Sequence, residues 1–305
     1  MNLFAPFLTL TLSLAPQATP QAATPAPAAT EAPKPAPAAA VTPAPTTAAP
    51  RNEALPPSES QAKAALEKSP RHGEYVDIRP AAGGTPIRAW VVYPERKTKA
   101  PVVIVIHEIY GLSDWLRGVA DQLARDGFIA IAPDLISGLG PNGGGTESAA
   151  SRDDVVTLVR SLTPEDAMAR LNLVRDYALK IPSANGKSAT LGFCWGGARS
   201  FAFAAAQPKL NAAVVFYGTS PDNAALASIQ APVLGLYGAD DARVTATIPP
   251  AETEMKRLGK RFTPILYEAA GHGFLRAQDD REGANRRATE QAWPKAIEFL
   301  REALE

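Results

Sequence analysis

Residues Val102-Val103-Ile104-Val105-Ile106 form an unbroken apolar run directly after Pro101. A run this short and this rich in β-branched side chains reads as a strand buried on both faces, which requires helices on both sides of a parallel sheet. The rest of the chain repeats the theme. Short apolar segments at 128–132, 188–191, 212–217, 232–237 and 263–267 alternate with helical stretches at 114–125, 164–180, 198–207, 251–258 and 286–303. This alternation predicts an α/β fold with a mostly parallel central sheet covered by helices on both faces. Two further strand signals, at 74–78 and 86–93, precede the apolar run, and residues 58–71 have helical composition. Asp114 is expected to cap its helix and Pro164 to occupy a first helical position.

Composition marks off the N-terminus. Residues 1–57 hold 13 of the 29 prolines, and residues 1–50 carry only two charged side chains, Glu31 and Lys34. Such a segment cannot supply a core, so 1–57 is expected to be a disordered Ala/Pro-rich linker and 58–305 a single α/β domain. Residues 1–15 form an apolar run too short to span a bilayer. They resemble the apolar region of a secretory signal, with Ala15 or Ala18 near a cleavage point, so export to the periplasm or medium is expected. No Lys or Arg precedes the run, which keeps a cytoplasmic location as the alternative. The balance of 31 basic and 31 acidic residues gives no reason to expect a nucleic-acid partner. No membrane span is expected in the domain.

The single cysteine lies in Leu191-Gly192-Phe193-Cys194-Trp195-Gly196-Gly197, between a strand signal and a helical stretch. Strand, sharp turn and helix are the context of a nucleophile elbow, in which glycines leave room for a strained turn residue. The amide dipoles of the following helix are expected to favour a thiolate at Cys194. A cysteine nucleophile needs a base and an orienting acid. Of His72, His107 and His272, the last sits in Ala270-Gly271-His272-Gly273-Phe274, directly after the final strand signal. The acid candidates, Asp240 and Asp241, follow the strand signal ending at Tyr237. Alone, each of these is a turn or a surface residue. Together the order Cys194, Asp241, His272 is the nucleophile–acid–base order of the α/β-hydrolase fold.

At these positions the chain resembles the dienelactone hydrolase family of α/β-hydrolases, over about residues 74–303. The matching segments are the cysteine elbow, His107-Glu108-Ile109-Tyr110-Gly111, and Gly271-His272-Gly273-Phe274 with Arg276 beyond it. The spacing Gly238-x-x-Asp241-x-x-Val244 matches the family's acid turn and favours Asp241 over Asp240. The resemblance implies that Glu108 sits beside Cys194 and accepts its proton as substrate arrives. It implies that the backbone N–H groups of Ile109 and Trp195 form the oxyanion hole. It also implies that Arg276 holds a substrate carboxylate, with Arg152 as the candidate for a second such arginine. A structural Arg276 paired with Glu108 or Asp279 is the alternative. The loop at 137–151 is expected to cover the site.

The expected activity is therefore hydrolysis of a small-molecule ester or lactone through a thioester, with no cofactor. A general carboxylesterase or acyl transferase using the same triad, or a non-catalytic binding protein on this fold, are the alternatives. Gly186-Lys187-Ser188 is no phosphate loop, because Ile181 stands where that motif requires glycine and the segment precedes its strand. Three scattered histidines offer no metal-ligand spacing, so no metal is expected. Oligomeric state is left open.

Overall fold

The computed structural model describes residues 51–81 and 83–305. The signal-like start and most of the expected linker lie outside the described residues. Eight strands form one sheet: β1 (Gly73–Ile78), β2 (Ile87–Val92), β3 (Ala100–Ile106), β4 (Ile129–Pro133), β5 (Ala184–Phe193), β6 (Ala212–Phe216), β7 (Val233–Gly238) and β8 (Phe262–Tyr267). Their order is β1-β2-β4-β3-β5-β6-β7-β8. β2 runs antiparallel to β1 and β4, and every other pair is parallel.

The helices are α1 (Ala62–Glu67), α2 (Asp114–Arg125), α3 (Arg152–Ser161), α4 (Pro164–Ala178), α5 (Trp195–Ala206), α6 (Asn223–Leu226), α7 (Ala242–Thr245), α8 (Ile248–Arg257) and α9 (Ala284–Leu304). The period of two along β3 explains the layering. Val103 and Val105 share one core with Leu116, Val119 and Leu123 of α2 and Trp293 of α9. Val102, Ile104 and Ile106 share the opposite core with Leu171 and Val174 of α4 and Phe201 of α5. Both faces of the strand are buried, which is why it reads as a continuous apolar run. Among the described residues, no helix is long and apolar enough to cross a membrane.

Three features differ from expectation. Ser113, not Asp114, caps α2: its backbone is extended and its hydroxyl accepts from the Leu116 N–H at 3.3 Å. Asp114 takes the first helical position, where its charge complements the helix dipole. Helix α3 has no counterpart in the sequence reading, because only Val155 and Val159 of its ten residues are buried. The domain also begins before residue 58. Leu55 is buried, Trp115 Nε1 donates to the Pro57 carbonyl at 3.1 Å, and Gln278 Nε2 donates to that of Pro56 at 3.0 Å. Proline has no N–H to satisfy, so the buried Pro56-Pro57 pair needs partners for its carbonyls alone. Composition averaged over residues 1–57 hides this local anchor.

Candidate active site

The parallel registers bring the strand ends together. Ile106 of β3 pairs with Gly192 of β5, Phe193 with Phe216 of β6, and Gly238 of β7 with Tyr267 of β8. Glu108, Cys194, Tyr217, Asp241 and His272 therefore follow the carboxyl ends of neighbouring strands, where α/β sheets bind ligands.

Cys194 joins β5 to α5 with φ 54° and ψ −114°, a strained conformation for a residue with a Cβ. Its N–H donates to the Phe216 carbonyl at 3.0 Å, which ties the turn to β6. The turn needs its glycines. A Cβ on Gly192 would stand 2.0 Å from the Gly196 carbonyl oxygen, and one on Gly196 would stand 2.3 Å from that of His107. The elbow thus lies directly against the end of β3.

His272 links the other two side chains. Its Nδ1 is 2.5 Å from Asp241 Oδ2 and its Nε2 is 3.0 Å from Cys194 Sγ. A carboxylate accepting from Nδ1–H leaves the Nε2 lone pair facing the thiol. Asp240 points elsewhere and pairs with Arg281 at 2.6 Å. The thiol itself is pushed up to about 12, by burial first and then by the Glu108 charge; the Trp195 N–H works in the other direction. Burial thus outweighs the helix terminus and favours the neutral thiol, contrary to the expectation of a favoured thiolate.

Glu108 is buried and its Oε2 accepts from Arg276 Nε at 2.8 Å. Burial pushes its carboxyl up, against the pull of the Arg276 charge. Its Oε1 and the Tyr217 hydroxyl are both buried and make no hydrogen bond of ordinary geometry, but the two side chains lie close enough for the hydroxyl to favour the Glu108 carboxylate. Tyr217 has φ 41°, and its ring meets the His272 ring edge-on at 5.3 Å. Burial and then Glu108 hold its phenol well above the usual value.

His107 orients the segment that follows. Its Nε2 accepts from the Leu135 N–H at 3.3 Å, so Nδ1 carries the proton and donates to the Glu108 carbonyl at 2.6 Å. The Gly111 N–H reaches the same oxygen at 3.4 Å. In a planar trans peptide the N–H points opposite to the C=O, so these contacts fix the direction of the Ile109 N–H. The His107 ring also stacks on Trp195 at 5.3 Å. Ile109 packs with Ile136 and with Val155 and Val159 of α3.

Arg276 also bonds Glu59, through Nη1 to Oε2. Burial opposes its charge, but Glu108 and Glu59 outweigh burial and hold its pKa above the usual arginine value. Arg152 lies 2.9 Å from the other Glu59 oxygen. The Tyr110 ring carries both guanidiniums, at 3.5 Å for Arg152 and 5.1 Å for Arg276. The pairing of Arg276 with Glu108 is present, whereas Asp279 bonds Ser58, Ser60 and Arg286 instead. The 137–151 segment is pinned by Asp134, whose carboxylate accepts from the Thr146 N–H at 2.7 Å and its hydroxyl at 2.9 Å. That anchoring precedes α3 and Arg152 at its first position. Among the described residues, no three His, Cys, Asp or Glu side chains are grouped to hold a metal ion.

The sequence profile of the dienelactone hydrolase family matches residues 87–304. The chain belongs to the dienelactone hydrolase family. It is a hydrolase of the ester and lactone class. A protein named "Putative carboxymethylenebutenolidase" from Salmonella typhimurium is 31% identical over 238 residues, covering 71% of this chain and 83% of that protein. The carboxymethylenebutenolidase of Pseudomonas putida is 30% identical over 190 residues, covering 59% of this chain and 77% of its own. A dienelactone hydrolase structure from Anabaena variabilis shares the fold with a TM-score of 0.58 at 21% identity, covering 77% of this chain and 99% of that one.

Within this family frame, sequence reasoning missed four residues that the structure brings to the site. Tyr217 directly follows β6 in Phe216-Tyr217-Gly218, a strand-end position like those of the other site residues, and that was the available signal. His107 and Tyr110 flank the quoted Glu108-Ile109 pair. Glu59 carried no signal, since it stands 217 residues before Arg276.

Proposed function

We propose that the protein hydrolyses an ester or lactone through a covalent thioester on Cys194. The His272 contacts to Cys194 and Asp241 carry this reading. As substrate enters, the thiol proton passes to His272 Nε2, either directly or by way of Glu108, whose charge bears on the thiol and which then hands the proton on to His272. The thiolate attacks the carbonyl carbon. Negative charge on the carbonyl oxygen is to be met by the Ile109 and Trp195 N–H groups; the direction of the first is supported by the His107 and Gly111 contacts to the Glu108 carbonyl. Collapse expels the alkoxide, which takes its proton from His272, and leaves the thioester. His272 then draws a proton from water; hydroxide adds to the thioester, and the acid departs with Cys194 again a thiol. Asp241 holds the imidazole in the tautomer that both halves require.

A raised thiol pKa supports this order of events, because a neutral resting thiol resists oxidation and becomes nucleophilic only with a proton acceptor in place. Arg276, with Arg152, is proposed as the cationic end of the substrate pocket. A binding protein without catalysis would have no use for the bonded Cys–His–Asp set. The test is hydrolysis of a panel of lactones, dienelactones and short acyl esters by the purified protein and by Cys194→Ala. The variant should lose about 10³-fold or more in turnover while keeping its fold. Near-wild-type turnover by pure Cys194→Ala would overturn the cysteine mechanism. We also propose export, from the apolar run at 1–15. N-terminal sequencing of protein from the native host should find a start after residue 15, and an intact Met1 would overturn it.

A further inference from the structure

The catalytic reading leaves one carboxylate without a role. Glu59 meets both arginines at once: Arg276 Nη1 donates to its Oε2, and Arg152 Nη2 lies 2.9 Å from its Oε1. Its backbone N–H also donates to the Arg276 carbonyl at 2.9 Å. Two guanidiniums packed on the Tyr110 ring and meeting at one point make an aromatic-backed cradle suited to one carboxylate. Glu59 fills it. Its neighbours hold it there, with the Ser58 and Ser60 hydroxyls bonded to Asp279 at 3.2 and 2.9 Å, and Pro56 and Pro57 anchored as described above. The Glu59 side chain is nevertheless 39% exposed and that of Arg152 50%, so the carboxylate can leave without disturbing a core.

We propose that Glu59 is a specificity-determining residue: by occupying the Arg152–Arg276 cradle it sets the enzyme against substrates that carry a carboxylate there. The inference rests on Cys194 as the nucleophile and on the cradle as the far end of its pocket; the link is Arg276, which bonds Glu108 beside the thiol. The two cations already face two carboxyl groups, those of Glu59 and Glu108. An anionic substrate must therefore displace Glu59 before it gains either guanidinium, and this raises its KM. A neutral ester has no such competitor.

The test uses the full chain and two esters of equal acyl length, p-nitrophenyl hexanoate and mono-p-nitrophenyl adipate. The readout is the ratio of kcat/KM for the anionic to the neutral ester. Glu59→Gln should raise this ratio about tenfold, mostly through the KM of the adipate ester. Arg276→Met should lower it, with Arg152→Met as the substitute if Arg276→Met does not fold. In the double variant Glu59→Gln/Arg276→Met the gain should disappear, because the two residues act through one contact. A Glu59→Gln ratio that is unchanged or lower, while Arg276→Met still lowers it, overturns the role of Glu59 and leaves the cradle standing. A gain that persists without Arg276 is a bulk charge effect and also overturns it. An unchanged ratio in Arg276→Met removes the cradle itself. Hydrolysis retained by Cys194→Ala in the same assay overturns the underlying nucleophile reading, whatever the ratios.

Discussion

His272 is bonded on both sides, and the two bonds have separate consequences. The Asp241 contact at 2.5 Å sets the tautomer, and the Cys194 contact at 3.0 Å uses it. Asp241→Asn would present an amide to Nδ1 and disturb that tautomer, so kcat should fall by about 10³-fold or more. Asp240→Asn removes only an exposed ion pair to Arg281 and should change kcat by less than about threefold. Steady-state kinetics on both variants check this, and the reverse ranking would reassign the acid. His107 supports a pH prediction. Burial lowers its pKa from 6.5, with the Asp134 charge acting against that shift. The folded state therefore holds the neutral ring and the unfolded chain takes up the proton first. This contribution to stability is complete above about pH 6.5 and is lost as pH falls toward the folded value. Melting temperature should drop between pH 7.5 and 5.5, and the drop should be shallower in His107→Gln. Glu108, raised by burial, gives a contribution of the opposite slope, which is why the difference between wild type and variant is the diagnostic. Equal slopes would mean that His107 is not held neutral.

At the scale of elements, the segment at 51–57 behaves as part of the domain. Leu55→Ala in the full chain should cost about 2 kcal/mol and lower the melting temperature by roughly 5 °C. No change in a thermal scan would return these residues to the linker. What was legible in the sequence follows from the same physics. Strands β3, β4, β6 and β7 are buried throughout, so each is an uninterrupted apolar run that needs no context to be seen. The first half of β5 was not legible, since Asn185, Gly186 and Lys187 are polar or carry no side chain and lie where the register shifts, between the paired Ala184 and Ser188. Helix α3 buries too narrow a stripe to show a period. The order Cys194, Asp241, His272 was legible because strand ends deliver loops to one edge in chain order. Glu108 was legible as a partner of Arg276 because both lie in the segments that resemble the family's, whereas Glu59 was not, because it stands 217 residues before Arg276 in no motif.

Across the whole molecule, a sheet packed on both faces serves as a rigid platform whose carboxyl edge gathers residues from five strands and from the N-terminal segment. The sheet tolerates strain at Cys194 because β6 and the end of β3 clamp the turn from two sides. The proposed catalysis requires a covalent bond between Cys194 and the acyl group, and peptide mapping by mass spectrometry observes that bond directly. The protein is mixed with p-nitrophenyl hexanoate, quenched in acid during turnover and digested. A hexanoyl group is expected on the peptide that contains Cys194, removed by neutral hydroxylamine as a thioester. A hexanoyl group on a serine or threonine instead, with Cys194 unmodified during turnover, would contradict it.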